Sequence, residues 1–532
     1  MKKLLISSQT DHNWLKYCGF MDLTMEQFMS IQESLLRQQM ETFRRTSLWR
    51  KIAGESLPRN MTEFRRMVPL TRYEDYLPEL QSGETNALYQ KPLTWTKSSG
   101  AGCQQKMVPV TDTAYQKQLE HLMAVFILAC SQSKGQSTIS QGDRISISAA
   151  SGHSLPGVLA EGAAQAFKMQ PVVLSHNSDT VEFRKKTLNG FEAYSGSGMD
   201  IVVAAPGDLV RTGREFDAQF RQGTFAKPLD SLNGIYRFIR AGLTSRYSKK
   251  PVLPRDIWPL KALICWGLDT DSYREQLYQY WGTYPFQFYA CTEAGVIAVQ
   301  SWRRAGMTFI PDSNFFEFLP EEELAKAAED NGYEPRTVLL NEVKPGERYE
   351  LVMTSFYGMP FLRYRPGHLI RITAIGDSQA GIALPQMVFE SRADDLIDVT
   401  GITRVSQNSI CRALAAANVI IEDWVARREV HQGNPFLHIY LETRGNTQEN
   451  LESLVESQLS TLDAGFHEFS TTRPYDTLRV TLLHPGSFKR YSQIKQTEGA
   501  SSARQRPRRM NTSEEEIREL MGQKIPVPAA ST

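Results

Sequence analysis

What the chain lacks narrows it first. None of its six cysteines (Cys18, Cys103, Cys130, Cys265, Cys291 and Cys411) stands in a C-x-x-C pair, which removes the common zinc and dithiol motifs. Six scattered thiols in 532 residues suit a reducing compartment rather than a disulfide scaffold. Net charge is nearly absent. Lys and Arg number 60 against 59 Asp and Glu, a formal +1, so no global field draws nucleic acid or an anionic membrane. The most apolar run, Leu122–Cys130, falls far short of the ~20 residues that cross a bilayer. The N-terminal stretch MKKLLISSQTDHNW carries two lysines but too short an apolar centre for a signal peptide. From these absences we expect a soluble, cytoplasmic protein with neither nucleic acid nor membrane as partner. The sequence carries no signal for an oligomeric state.

Two familiar motifs are also missing. The stretch TWTKSSGAGCQQKMVPVT (Thr94–Thr111) sets serines, glycines and Lys106 between extended runs, but lacks the G-x-x-x-x-G-K-S/T spacing of a Walker loop. Its backbone N–H groups can converge on an anion, with Lys106 to neutralise it. A plain surface turn has the same composition. In AASGHSLPG (Ala149–Gly157), Ser154 follows a strand and precedes a helix, but Pro156 spoils the small-residue pattern of a nucleophile elbow. Ser154 then reads as an ordinary loop or cap serine.

What is present has a clear order. The length, with 41% hydrophobic and 22% charged residues, calls for two or three domains. From Met25 to Ile52, Phe28, Ile31, Leu35, Leu36, Met40 and Phe43 recur at helical spacing. A helix is expected after Thr111 with Asp112 as its cap. Short β-type runs such as RISISAA, PVVLS, IVVAAPG and LKALICWG then alternate with helical ones, the pattern of an α/β domain with a largely parallel sheet. Thr308–Arg371 is β-rich. Beyond Arg392–Asp395 helix and strand alternate on a smaller scale. We expect an N-terminal domain over 1–392 and a smaller α+β domain over 393–532.

Three further stretches carry chemistry. FYACTEAG (Phe288–Gly295) ends a strand in a polar loop, at the sheet edge where α/β proteins bind ligands. Glu293 there is a candidate Mg²⁺ ligand, since that hard cation prefers carboxylate and phosphate oxygens; a helix-start glutamate is the alternative. LRYRPGHLIRI (Leu362–Ile372) sets Arg363, Arg365 and Arg371 around a Pro-Gly turn. Arginine's planar fork suits phosphate and ribose contacts, although a solvated charged strand reads the same way. SSARQRPRRM (Ser501–Met510) holds four arginines, either a solvated loop or one that closes on phosphate.

Taken in order, these motifs resemble the adenylate-forming superfamily and, more narrowly, the acyl acid amido synthetases. That auxin-conjugating family of plants has bacterial relatives, and the chain reads as a bacterial-type member. FRRMVPLTRYEDYLPELQSGE (Phe64–Glu84) is similar to the segment before the family's phosphate loop, and KSSGAGCQQKMVPVTD (Lys97–Asp112) to the loop itself. IWPLKALICWGLDTDSYREQL (Ile257–Leu277) precedes a Y-x-x-S/T-E element, and LHPGSFKRY lies before the final basic element. The resemblance spans about Met25 to Met510.

It implies a large N-terminal adenylate-forming α/β domain with a β-rich subdomain and a small mobile α+β lid. It also implies an ATP- and Mg²⁺-dependent ligase. A small carboxylic acid would attack ATP to give an acyl-adenylate, and an amine, an amino acid above all, would take the acyl group as an amide. By the same resemblance Ser98, Ser99 and Gly100 hold phosphate with Lys106. Thr292 and Glu293 sit at the α-phosphate and metal, and Tyr289 lies against adenine. Arg392 approaches ribose or phosphate from the hinge, and Lys495 or Arg504, Arg506 and Arg508 come from the lid. His368 stands where the family has an aspartate for both ribose hydroxyls, which implies weaker nucleoside binding because neutral histidine offers one acceptor nitrogen. Ala101 and Gly102 replace hydroxyl residues after the Ser-Ser-Gly. SRADDLIDVTG (Ser391–Gly401) resembles the hinge of aryl-CoA ligases, so a CoA ligase is a second expectation. A degenerate member that binds ligand, or uses a preformed acyl donor without adenylating, is a third.

Overall fold

The computed structural model describes residues 13–77, 79–82, 87–97, 106–148, 155–173, 198–204, 206–221, 232–265, 270, 273–330, 332–392, 396–399, 404–417, 420–431, 434–444, 450–472, 475–498 and 505–522. These fall into two compact units, one running up to Phe389 and the other from Glu390 onward.

In the first unit, β1 (Thr94–Lys97) and β2 (Met107–Val110) form an antiparallel ribbon with Lys97 opposite Met107. A short hairpin, β3 (Ser131–Ser133) and β4 (Gln136–Ser137), follows. The main sheet is built from β5 (Arg144–Ser148), β6 (Gln170–Val173), β7 (Ile201–Ala204), β8 (Ala262–Cys265), β9 (Pro285–Cys291), β10 (Gly295–Gln300), β11 (Met307–Phe309), β12 (Asn314–Pro320), β13 (Arg348–Ser355), β14 (His368–Ala374) and β15 (Gln386–Arg392). Its order is β12-β13-β14-β15-β11-β10-β9-β8-β7-β5-β6. From β6 to β9 the pairing is parallel, with helices in the described connections from β5 to β6, β7 to β8 and β8 to β9. From β9 to β11, β11 to β15, and β12 to β14 the recorded pairs are antiparallel. The fold is α/β, and β9 is where its parallel half meets its antiparallel half.

Two helices brace that junction. Met25–Phe43 starts in a capping box between Thr24 and Gln27 and buries Phe28, Leu36, Met40 and Phe43. The same face buries two glutamines, which apolar periodicity alone does not pick out. Gln32 bonds the carbonyls of Pro311 and Asn314 and accepts from the Phe316 N–H at 2.9 Å. Gln39 donates to the Met359 carbonyl at 2.9 Å and accepts from the Gly358 N–H at 3.0 Å. Set seven residues apart on one helix face, the two amides hold the loop before β12 and the loop after β13. The helix Asp112–Ala129 is buried along its whole second half, from His121 to Ala129, as an all-round apolar helix must be. Its cap is Thr111, whose Oγ1 accepts from the Ala114 N–H at 3.1 Å, so Asp112 is the first helical residue instead of the expected cap. Among the described residues no helix is long and apolar enough to cross a membrane.

In the second unit, β16 (Leu396–Asp398) and β17 (Arg404–Ser406) pair as a small ribbon. β18 (Ile421–His431), β19 (Asn434–Thr443) and β20 (Leu478–Leu482) form a three-stranded sheet, antiparallel then parallel. Leu437, Ile439 and Leu441 of β19 share a core with Ile410 and Leu414 of the helix Gln407–Ala416 and Val455 and Leu459 of the helix Leu451–Leu462.

Candidate active site

The turn after β9 is the natural place to look, because it lies at the carboxyl end of the last parallel strand. Thr292, Glu293 and Ala294 make the turn, and Gly295 begins β10 at φ +71°. A Cβ on Gly295 would stand 2.6 Å from Gln118 Cγ, so both backbone sign and space require glycine there.

Glu293 is 6% exposed, but its carboxylate does not point into hydrocarbon. The Tyr364 hydroxyl donates to its Oε1 at 3.1 Å, and Lys106 Nζ lies 3.5 Å from the same oxygen. Lys106 also donates to the Tyr364 hydroxyl at 2.9 Å. Burial first, and the neighbouring Glu293 carboxylate second, push the Tyr364 hydroxyl far above the ordinary phenol value. It therefore keeps its proton and relays a hydrogen bond from ammonium to carboxylate. Burial likewise raises the neighbouring Cys291 thiol, with Glu293 adding to it, which leaves Cys291 an unreactive thiol.

Lys106 owes its place to Tyr73. The Tyr73 hydroxyl accepts from the Met107 N–H at 2.7 Å and donates to the Met107 carbonyl at 2.9 Å. Lys106 Nζ sits 5.7 Å from the Tyr73 ring centre and 5.6 Å from that of Tyr364, within cation–π range. The segment carrying Tyr73 is fastened in turn by Arg363. That buried residue has φ 42° and aims its guanidinium at Glu317, with Nη2–Oε1 at 2.9 Å and Nε–Oε2 at 3.0 Å. Arg363 also donates to the carbonyls of Arg65 and Val68, and Thr71 exchanges backbone hydrogen bonds with Arg363 and Arg365. Within Phe64–Glu84, Val68 is thus tied down by Arg363, and Tyr73 holds Met107 at the foot of β2.

The other expected residues fall out as follows. Tyr289 is buried, with its hydroxyl 2.5 Å from His368 Nδ1 and its ring 5.0 Å from that of Phe389. His368 opens β14 and meets the Phe389 ring edge-on at 5.4 Å. Arg365 makes a two-bond fork with the buried Glu350, at 3.0 and 2.7 Å. Arg371 lies in β14 opposite Arg348, and Arg392 ends β15. Thr292 is half-buried in the turn. So Lys106 and Glu293 come together with Tyr364, while Tyr289 and His368 form a second pair. Lys495, in the helix Ser487–Thr497 of the second unit, is held by Glu519 at 2.8 Å and Glu498 at 3.1 Å. Burial works to lower its pKa, but the two carboxylates outweigh that and raise it. Arg506 is exposed, and the Arg508 N–H donates to Glu516. Ser98, Ser99, Gly100, Ser154 and Arg504 lie outside the described residues, as does the side chain of Arg392. The sequence reading passed over Tyr73 and Tyr364, although both stand inside motifs it quoted.

Against this geometry the chain matches the GH3 family N-terminal domain over residues 18–178 and the GH3 family central domain over residues 307–392. Both matched stretches are GH3 family domains. The first match covers β1, β2 and Lys106, and the second covers Tyr364, His368 and the strand to Arg392. A curated GH3 relative, the jasmonoyl–L-amino acid synthetase GH3.5 of Oryza sativa subsp. japonica, is 24% identical over 315 residues, 53% of this chain and 51% of that protein. The indole-3-acetic acid-amido synthetase GH3.8 of Oryza sativa subsp. indica is 31% identical over 114 residues, 21% of this chain and 17% of that one. The matched part thus spans about half the length of the first of these relatives, and less of the second. Among solved structures, AtGH3.15 acyl acid amido synthetase in complex with 2,4-DB aligns at a TM-score of 0.66 with 18% identity, over 94% of both chains. A 2-hydroxyisobutyryl-CoA ligase in the postadenylation state aligns at 0.65 with 14% identity, over 94% of this chain and 92% of that one. At such identities the likeness is one of fold. It agrees with the α/β architecture described above.

Proposed function

We propose that this chain is an ATP-dependent ligase. It activates a small carboxylic acid as an acyl-adenylate and passes the acyl group to an amine, an amino acid, to form an amide. The observation that carries this reading is the Lys106–Tyr364–Glu293 cluster at the end of β9. A carboxylate attacking the α-phosphate of ATP brings two anions together, and the reaction needs cations fixed where that charge gathers. Lys106 supplies one, anchored by Tyr73. Glu293 fits a magnesium ion: a single oriented carboxylate is what that cation takes from a protein when substrate phosphates provide its remaining ligands. Bound there, magnesium would screen the phosphate charge. Among the described residues no group of three or more His, Cys, Asp or Glu side chains gathers as an all-protein cage. Ser98, Ser99 and Gly100 belong to the connection between β1 and β2, whose ends Lys97 and Met107 face one another in register. In this reading that connection wraps the phosphates, Thr292 touches the α-phosphate, and Tyr289 and His368 serve the nucleoside with Arg365, Arg371 and Arg392. The second unit acts as a mobile lid, its boundary near residue 392, and Lys495 is its cation for adenylation once freed from Glu519.

The relatives' names support an amide product. The 2-hydroxyisobutyryl-CoA ligase alignment, with coverage as wide as that of AtGH3.15, supports CoA as a second acceptor to test. Carboxylate-dependent exchange of labelled pyrophosphate into ATP, over a panel of acids and without acceptor, tests adenylation. Exchange followed by amide formation with an amino acid, and not by thioester formation with CoA, is the expected result. No exchange together with no ATP binding by calorimetry would reject the ligase and favour a non-adenylating member.

A further inference from the structure

Behind Glu293 lies a small polar niche that the adenylation chemistry does not use. It is lined by Lys117, Gln118 and His121 on one face of the helix Asp112–Ala129, by Glu293, by Ser355 at the end of β13 and by Tyr357 just beyond it. Its volume is about 10 Å³, room for one water-sized atom. Three buried side-chain atoms of its wall have no hydrogen-bond partner: His121 Nδ1, Gln118 Oε1 and Ser355 Oγ. Their residues are 6%, 5% and 2% exposed. An unmet polar atom at such depth is destabilising, so three around one niche call for a ligand.

Their chemistry states what the ligand must be. His121 Nε2 lies 2.9 Å from Asp312 Oδ1. Burial works to raise the Asp312 carboxyl, but the hydrogen bonds and charges of His121 and Lys117 hold it at about 2. Ionised Asp312 accepts from the Nε2 N–H, so in the neutral ring the lone pair lies on Nδ1. Gln118 Oε1 is an acceptor, and the Ser355 hydroxyl can be one. Lys117 is occupied by Glu120 at 2.9 Å and Asp312 at 3.4 Å. The Tyr357 hydroxyl is spent on the Asp312 carbonyl at 2.8 Å. Three acceptors facing a nitrogen-sized space, with the Glu293 carboxylate on the same wall, match the three N–H bonds of a primary ammonium. A thiol brings one weak donor and would leave two acceptors unmet.

We propose that this niche receives the ammonium of the acceptor amine, and that His121, oriented by Asp312, takes its proton; the inference rests on the ligase reading above. The ammonium gives one proton to Nδ1, and the freed nitrogen lone pair attacks the acyl carbonyl carbon. The bond from that carbon to the phosphate oxygen breaks, AMP leaves with the bonding pair, and its phosphate takes the second proton that the nitrogen sheds on becoming an amide. The imidazolium keeps its second N–H on Asp312. An amino acid is an ammonium at neutral pH and needs this help, whereas hydroxylamine is largely uncharged and does not.

The test measures three rates on His121→Gln and His121→Phe, using the acid that gives the strongest exchange. These are pyrophosphate exchange, amide formation over the protein amino acids, and hydroxamate formation from hydroxylamine, with the fold of each variant checked by thermal unfolding. General base catalysis is worth about 100-fold or more. Amide formation should fall by at least about that factor, and by far more than exchange or hydroxamate formation. His121→Gln is the milder change and serves if His121→Phe does not fold. Amide and hydroxamate rates that fall together, or neither falling, overturn the proposal, including the case of a high-resolution structure with a fixed water in the niche and unaltered transfer. An unsubstituted protein without exchange fails at the ligase reading, before this step is reached.

Discussion

Replacing Tyr364 with phenylalanine removes one oxygen and tests how Glu293 is held. That hydroxyl accepts from Lys106 at 2.9 Å and donates to Glu293 at 3.1 Å. The two losses are unequal. The Lys106 side chain is 25% exposed and can turn to water, whereas the Glu293 side chain is 8% exposed and, among the described residues, has the more distant Lys106 contact, at 3.5 Å, to fall back on. Counting just the bond to the buried carboxylate, a hydrogen bond to a charged group is worth about 1.5–3 kcal/mol. If that energy orients Glu293 for adenylation, pyrophosphate exchange falls by about tenfold to about 150-fold. The ring stays, so its packing against Phe361 and Tyr76, at centroid distances of 4.7 and 6.2 Å, is kept. The assay is exchange at saturating ATP and acid, beside a denaturant titration to show that the variant is folded. A folded Tyr364→Phe protein that exchanges within about twofold of its parent would refute the reasoning, since a loss below 0.5 kcal/mol means the hydroxyl does not position the carboxylate.

Three further outcomes follow from the same coordinates. His368→Asp restores a two-oxygen acceptor beside the Tyr289 hydroxyl and should tighten ATP by on the order of 1–3 kcal/mol by calorimetry; unchanged affinity would remove residue 368 from the ribose site. Arg363→Met takes the forked partner from the fully buried Glu317, leaving it Arg65 at 3.4 Å and Thr337 at 2.5 Å, and should cost about 3 kcal/mol in unfolding free energy, most of it recovered when Glu317→Leu is added. A single-variant loss below about 1 kcal/mol would show that the pair does not fasten the Phe64–Glu84 segment. The Asp312 carboxyl is lowered in the folded chain from 3.8 to about 2, so it contributes stability that is whole above about pH 4 and lost as pH falls through about 2. Asp312→Asn should therefore be less stable by about 2 kcal/mol near neutrality, with the difference gone below about pH 2; a difference that persists there contradicts the assignment.

Much of the fold was legible because its periodicities are strong. Short continuous apolar runs such as IVVA and ALIC became β7 and β8, and Phe28, Leu36, Met40 and Phe43 gave the buried face of the first long helix. Gln32 and Gln39 on that face were not legible, because a pattern of apolar residues scores a buried amide as solvent-facing. β18 was missed for a similar reason: IEDWVARREVH carries five acidic or basic side chains, not counting its histidine, and only Trp424, Val425 and Ala426 are buried. The site divides along the same line. Lys106 and Glu293 were singled out by residue type and motif order, and the fold brings them together through Tyr364. Tyr364 was hidden between two arginines whose charge drew the reading. Arg363 and Arg365 proved to be spent on Glu317 and Glu350. Their partners lie 46 and 15 residues away, and no local pattern marks such a pairing. His121 could not be picked out at all, because its meaning depends on Asp312, 191 residues distant.

The central claim is that a bond forms between a carboxylate oxygen and the α-phosphorus of ATP beside Glu293. Supplying the acid with its carboxyl group labelled in heavy oxygen, and analysing the nucleotide product by mass spectrometry, follows that bond directly. The account predicts AMP carrying one labelled oxygen, and no labelled AMP from Glu293→Gln at comparable times. Unlabelled nucleotide, or label in inorganic phosphate beside ADP, would contradict it.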